Sequence, residues 1–249
     1  VFAGAACACM AGAGMSVKAA DKVAINEKNF APAVMEYAQN ADTNEDGFLS
    51  SKEASKVKKM RFDTRQYIDS FQGVKYFTGL KKFIYEVAEY QQDMTAAPDL
   101  DLSGMDKLEK VTIYSESMHI GTINLQNCTK LQQLALIPDS EHMIYVDGIN
   151  LRGCTNLDSF ICGGQTDQID LSGLKKLEDV MFTGETETLN LDRCSGLKRM
   201  YIISDTLKTL SLKGVRKLKG ITVKAPSLES LDLSKNKKLK NVNCHYTQI

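Results

Sequence analysis

Residues 169–182 read IDLSGLKKLEDVMF. The segment opens on an alternating Ile-Asp-Leu and closes on an alternating Val-Met-Phe, with Leu177 between them. Alternation of this kind marks a strand with one buried face. The tract recurs as LDLSGMDKLEKVTI from Leu100, INLQNCTKLQQLAL from Ile123, INLRGCTNLDSFIC from Ile149, LNLDRCSGLKRMYI from Leu189, LSLKGVRKLKGITV from Leu210 and LDLSKNKKLKNVNC from Leu231. The second apolar residue of each opening pair serves as an anchor: Leu102, Leu125, Leu151, Leu171, Leu191, Leu212 and Leu233, at spacings of 23, 26, 20, 20, 21 and 21 residues. Six residues after each anchor stands Leu108, Leu131, Leu157, Leu177, Leu197, Leu218 or Leu239. Nine after it comes Val111, Leu134, Phe160, Val180, Met200, Ile221 or Val242, and eleven after it Ile113, Leu136, Cys162, Phe182, Ile202, Val223 or Cys244.

This period lies in the window of about 20–29 residues that leucine-rich repeats occupy. A unit of that size cannot bury its apolar row alone, so neighbours must stack and share it. Repeats of 20 or 21 residues leave little room for a helix opposite the strand. The expected fold is a leucine-rich repeat solenoid over residues 69–249, mostly β with short flat coils, preceded by a small α-helical cap at 20–68. A degenerate repeat opens the array, with Leu80, Phe83 and Tyr85 at six, nine and eleven after Val74. The longer step from Val74 to Leu102 holds EVAEYQQDMTAAPD, expected as a bulging loop. The sequence stops inside a repeat at Ile249, and the natural array is expected to continue past it.

Ahead of the repeats the chain changes character. Val1 to Met15 is small and apolar, and Val17-Lys18-Ala19 fits cleavage after Ala19. This reads as the remainder of a secretory leader, residues 1–19. The run is shorter than the roughly 20 apolar residues that a membrane span needs, so no transmembrane span is expected in the mature chain. A lipid anchor on Cys7 or Cys9 would need Leu where Gly4 and Ala6 stand. The expected location is extracellular, secreted or at the cell surface. Composition adds little: 43% hydrophobic, 25% charged, formal net charge zero. No whole-molecule field draws the chain toward nucleic acid. Cys128, Cys154, Cys162, Cys194 and Cys244 fall in repeat columns, where a thiol serves as a small apolar filler. A Cys128–Cys154 bridge between neighbouring coils is the alternative.

Asp42 to Glu53 reads DTNEDGFLSSKE. Asp42, Asn44 and Asp46 stand at loop positions one, three and five, Gly47 at the sharp turn, Phe48 at the position that offers its carbonyl, Ser50 at nine and Glu53 at twelve. Hard oxygen donors at these spacings suit one Ca²⁺ ion in an EF-hand-like loop. Phe30, Val34, Tyr37 and Ala38 predict a helix before the loop, and Ala54, Val57 and Met60 one after it. With a single loop, the ion is expected to be structural, stabilising the cap by binding the folded state.

The stretch LESLDLSKNKKLKNVNC resembles the repeat of bacterial secreted and cell-surface leucine-rich repeat proteins, and FQGVKYFTGLKKF resembles the segment that opens internalin-like arrays. The resemblance spans roughly residues 29 to 249 and implies binding or adhesion in place of catalysis. The family's strand-end Asn, fourteen after the anchor, is replaced by Glu116, Asp139, Gln165, Glu185, Asp205, Pro226 and Thr247, so its buried Asn ladder is expected to be missing. The lone calcium loop is also similar to half of a dockerin. That gives an alternative: a non-catalytic targeting or substrate-binding module of a larger extracellular enzyme.

Outward strand residues lie ten and twelve after each anchor. Among them Ile137, Ile161, Met181, Tyr201 and Ile203 form the candidate partner face, for an extracellular protein or glycan. Twelve basic residues between Lys198 and Lys240, against Asp205, Glu229 and Asp232, suit an anionic polymer or a solvated edge. The histidines, His119, His142 and His245, have no evident catalytic partner, and no nucleophile or phosphate-loop motif is present. No enzyme activity is expected.

Overall fold

The computed structural model of the chain describes residues 22–64, 68–87, 97–115, 118–138 and 144–244. The leader at 1–19, residues 88–96 of the bulging loop, His142 and His245 lie outside the described residues, as do Glu116, Asp139 and Thr247. In chain order the elements are β1 (Lys22–Ala24), α1 (Pro32–Ala41), β2 (Phe48–Ser50), α2 (Ser51–Ala54), β3 (Lys59–Thr64), a 3-10 turn (Val74–Tyr76), β4 (Lys82–Val87), β5 (Leu100–Asp101), β6 (Lys110–Ser115), β7 (Met118–Asn124), β8 (Gln133–Pro138) and β9 (Ile144–Asn150). They continue with β10 (Ser159–Cys162), β11 (Gln168–Asp170), β12 (Asp179–Phe182), β13 (Thr188–Asn190), β14 (Arg199–Ile203), β15 (Thr209–Ser211), β16 (Gly220–Lys224) and β17 (Asn241–Asn243).

The repeat register becomes a ladder. Strands β3, β4, β6, β8, β10, β12, β14, β16 and β17 lie side by side in one parallel sheet. Each pair matches equal repeat positions, as in Phe160 against Val180 and Val180 against Met200. The opening apolar pairs form two three-stranded parallel sheets, β5–β7–β9 and β11–β13–β15. Between these layers the inward columns make one continuous core from Phe30 to Leu228. The leucines six after the anchor are fully excluded from solvent from Leu80 through Leu218, and Leu239 in the last coil is half-buried. The structure is a β-solenoid of the leucine-rich repeat type.

Two side-chain columns shape each corner. The residue before the anchor is Asp101, Asn124, Asn150, Asp170, Asn190, Ser211 or Asp232. In six coils its side-chain oxygen accepts the N–H two residues on, at 2.8–3.2 Å. This turns the chain away from the strand. Two residues after the anchor, Gly104, Asn127, Gly153, Gly173, Arg193 and Gly214 all take positive φ.

The cysteines do more than fill space. Cys128, Cys154 and Cys194 each donate a thiol hydrogen bond to the carbonyl of the preceding coil's anchor, Leu102, Leu125 and Leu171, at 3.0 Å. Asn236 in the same column donates to the Val215 carbonyl at 2.7 Å. A buried donor column therefore exists three residues after the anchor. The four thiols Cys128, Cys154, Cys162 and Cys194 are free.

The amino-terminal end is closed by the helical segment. In α1, Val34, Ala38 and Ala41 are buried one above another, and Pro32 sits in the first turn, where a missing N–H costs nothing. The Tyr37 hydroxyl donates to the Arg61 carbonyl at 2.6 Å and accepts the Arg61 N–H at 2.7 Å, which ties α1 to β3. The helix expected after the loop is not formed through Met60. It ends at Ala54, and Met60 and Phe62 face the core from β3, paired with Phe83 and Tyr85 of β4. The ladder outcompetes the helix because Val57, Met60 and Phe62 repeat the six-nine-eleven spacing of a coil.

Candidate binding face and cap loop

The outward column ten after the anchor is a continuous row. Thr112 pairs with Ala135, Ala135 with Ile161, Ile161 with Met181, Met181 with Tyr201, and Tyr201 with Thr222. Met181 is 45% exposed and Tyr201 40%. Ile161 is half-buried beside them, and Ala135 is sealed. Ile161, Met181 and Tyr201 therefore meet as one apolar strip along a shallow groove of about 710 Å³.

Ile137 and Ile203 occupy the next outward column and are half-buried. Ile137 pairs with exposed Tyr114, and Ile203 with Lys224, so they flank opposite ends of the face. Gly163 and Thr183 stand between them in that column. Tyr114, 40% exposed, belongs to the same surface although it is absent from the expected set. Its place in the outward column was the available signal. Along one flank of the strip Arg199 donates from Nε and one terminal nitrogen to the two carboxylate oxygens of Asp179, at 2.5 and 2.7 Å. A partner would meet a polarizable thioether, a phenol and a branched alkyl group beside a pre-formed ion pair. Apolar anchors rimmed by polar groups are the composition of a contact surface.

The loop at Asp42–Glu53 is held by its own carboxylates. Asp42 accepts the N–H of Gly47 at 2.9 Å, and Asp46 that of Phe48 at 3.0 Å. Glu45 and Gly47 take positive φ and swing the chain round. Glu53 is 6% exposed; one oxygen accepts from the Thr43 N–H at 2.9 Å, the other from the Ser50 N–H at 3.0 Å and the Ser50 hydroxyl at 2.6 Å. The Ser50 hydroxyl and N–H and the Thr43 N–H hold the Glu53 carboxyl at about 2. Strand β1 pairs antiparallel with β2 and lays Lys22 across the loop, where its ammonium bonds Asp46. That contact raises Lys22 above the usual lysine range and lowers Asp46 below the carboxylate range.

The donor set fits calcium in chemistry and order: three carboxylates, one amide oxygen, one hydroxyl and the carbonyl of Phe48, which is 43% exposed. Among the described residues no three His, Cys, Asp or Glu side chains are gathered closely enough to hold an ion by themselves. The carboxylates are turned to loop N–H groups and to the Lys22 ammonium, which stands as the local cation.

Cys162 stays in its inward column at 1% exposure, and burial pushes its thiol up to about 12. A thiol so held is a poor nucleophile. His119 meets Asp147 at 2.7 Å on the β7–β9 surface. Among the described residues no helix is long and apolar enough to cross a membrane.

No family model and no curated protein matches the sequence. Among solved structures, an internalin from Listeria monocytogenes is similar over 88% of this chain and 96% of its own length, at 13% identity and a TM-score of 0.24.

Proposed function

We propose that this chain is a non-catalytic binding scaffold, secreted or held at a cell surface, whose outward sheet engages an extracellular protein or glycan. The observation that carries this reading is the apolar strip of Ile161, Met181 and Tyr201, repeated in register across three coils on the solvent side. Folding does not require apolar groups there: the same column holds Thr112, Thr222 and Asn243 elsewhere. The cap loop is proposed to take one Ca²⁺ through Asp42, Asn44, Asp46, the Phe48 carbonyl, Ser50 and Glu53. The ion would supply a fixed double charge that braces the cap against the first coil.

The binding reading is tested with a glycan array and a panel of purified extracellular proteins. The expected result is at least one ligand whose affinity falls about tenfold or more with Tyr201→Asp or Met181→Asp, the loss of a central contact residue. The reading fails if both variants keep the wild-type melting temperature and every ligand found binds them as tightly as it binds the wild type.

A further inference from the structure

The outward residues at the corner between anchor and strand lie four, five and seven after each anchor. In the coils anchored at Leu212 and Leu233 all six are basic: Arg216, Lys217, Lys219, Lys237, Lys238 and Lys240. All six are exposed. Equivalent positions in other coils carry Asp106, Thr129, Asn156, Gly196, Gln132 and Asp158, so the fold does not demand cations there. Backbone bonds stack these corners directly. The Lys219 N–H donates to the Lys198 carbonyl at 2.8 Å, and the Lys240 N–H to the Lys219 carbonyl at 2.9 Å.

Further up the same edge, carboxylates stand among the cations: Glu109, Asp158, Glu178 and Asp179 share a groove with Lys130, Lys175, Lys176 and Lys198. Lys81 pairs with Glu109 at 2.8 Å, and Lys198 with Glu178 at 2.6 Å. Past Lys198 these corner positions hold no carboxylate. Among the described residues none of the six basic side chains has an acidic partner within ion-pair distance. Like charges one ladder step apart, about 4.8 Å, repel each other. An edge that mixes carboxylates with cations upstream carries here only cations, three on each of two stacked coils.

We propose that this corner edge binds a linear acidic polysaccharide through its sulfate or carboxylate groups. Two coils set three cations in each of two rows, and an extended polymer with an acid group on successive sugars can follow them along the solenoid axis. The Arg216 guanidinium can take two oxygens of one such group, and the lysines act as point charges. Single-stranded nucleic acid would want aromatic faces for its bases, and a membrane would want apolar anchors. The six positions supply neither. This strip runs along the corner that leads into the outward sheet, where Lys240 lines the same groove as Ile161, Met181 and Tyr201; the proposal rests on the six cations and not on that sheet's role.

Heparin, which carries sulfates, and polygalacturonate, which carries only carboxylates, serve as probes at about 50 mM salt, where screening is weak. Dextran, a thymidine oligonucleotide and phosphatidylserine vesicles are the controls. The wild-type chain is expected to bind at least one acidic polysaccharide and not dextran, and the two probes tell which acid group is preferred. Combined Lys217→Gln, Lys219→Gln, Lys238→Gln and Lys240→Gln should weaken that binding about tenfold or more and flatten its salt dependence. Lys175→Gln with Lys176→Gln, on the same edge two coils earlier, should change it less than about twofold. If the fourfold variant loses its fold by circular dichroism, Lys219→Gln with Lys240→Gln gives the same reading with a smaller loss. Absence of binding to both polysaccharides would overturn the proposal. So would equal weakening by the Lys175 and Lys176 changes, or tighter binding to the oligonucleotide or the vesicles.

Discussion

At the scale of single residues, the proposed calcium ion would compete in the cap loop with a cation already there. Lys22 bonds Asp46, a proposed calcium ligand, and no other basic side chain is paired with the loop's carboxylates among the described residues. Calcium bound as proposed would have to displace that ammonium. Lys22→Gln is therefore expected to tighten calcium binding by about fivefold, the worth of one exposed ion pair. Isothermal titration reads this directly. Calcium should raise the melting temperature relative to EGTA, and Glu53→Gln should abolish the rise; an unchanged melting temperature in wild type would remove the metal from the account. A second residue-scale prediction concerns thiols. Burial pushes Cys128 and Cys162 up to about 12 and Cys154 and Cys194 up to about 11. In the folded chain these four should resist Ellman's reagent at neutral pH and react only once the protein is unfolded. Gly173 gives a third test: its φ is +76° and no atom lies within 4 Å of where a Cβ would stand. Gly173→Ala should cost about 1 kcal/mol, a purely torsional penalty.

At the scale of the element, each strand separates support from contact by alternation. Phe160 and Val180 face the core, and Ile161 and Met181 beside them face solvent. Leu157→Ala should destabilise by about 2–5 kcal/mol because its site is sealed on every side. Met181→Ala should stay within about 0.5 kcal/mol, since that side chain is nearly half exposed. Equilibrium urea unfolding of the two variants checks both. The same alternation makes the strands legible in the amino-acid sequence: leucine at six and apolar residues at nine and eleven leave one register in which neighbours can stack. Strand β3 is less legible. Val57 and Met60 are three apart, which fits both a helix face and the start of a coil, and only Phe62 two residues later breaks the tie. The corner chemistry is hidden for another reason. Asp or Asn before the anchor looks like an ordinary polar choice in an alternating pair. Its bond to the N–H two residues on depends on the turn that follows. The donor role of Cys128, Cys154 and Cys194 is likewise masked by their apolar counterparts in the column, Met105, Leu174 and Val215. The apolar strip is legible residue by residue, but its three-member continuity needs the cross-strand register.

At the scale of the whole molecule, one parallel ladder runs from β3 to β17, and each coil touches its immediate neighbours. Stability in such an array is close to a sum of coil and interface contributions. The coils anchored at Leu151, Leu171 and Leu191 are spaced by the same 20 residues. Removing residues 171–190 would join Asp170 to Leu191 with every column intact and bring β10 against β14. That deletion is expected to give a folded, cooperatively melting protein by circular dichroism. Removal of residues 171–180 alone would leave half a coil and is expected not to fold. The outward face thus has a size that takes only whole-number values. It lengthens or shortens by one strand spacing, about 4.8 Å, and each such change adds or deletes one side chain from every column at once. An ancestor could have altered its reach by duplicating a coil, with no loop to redesign and no register to renegotiate.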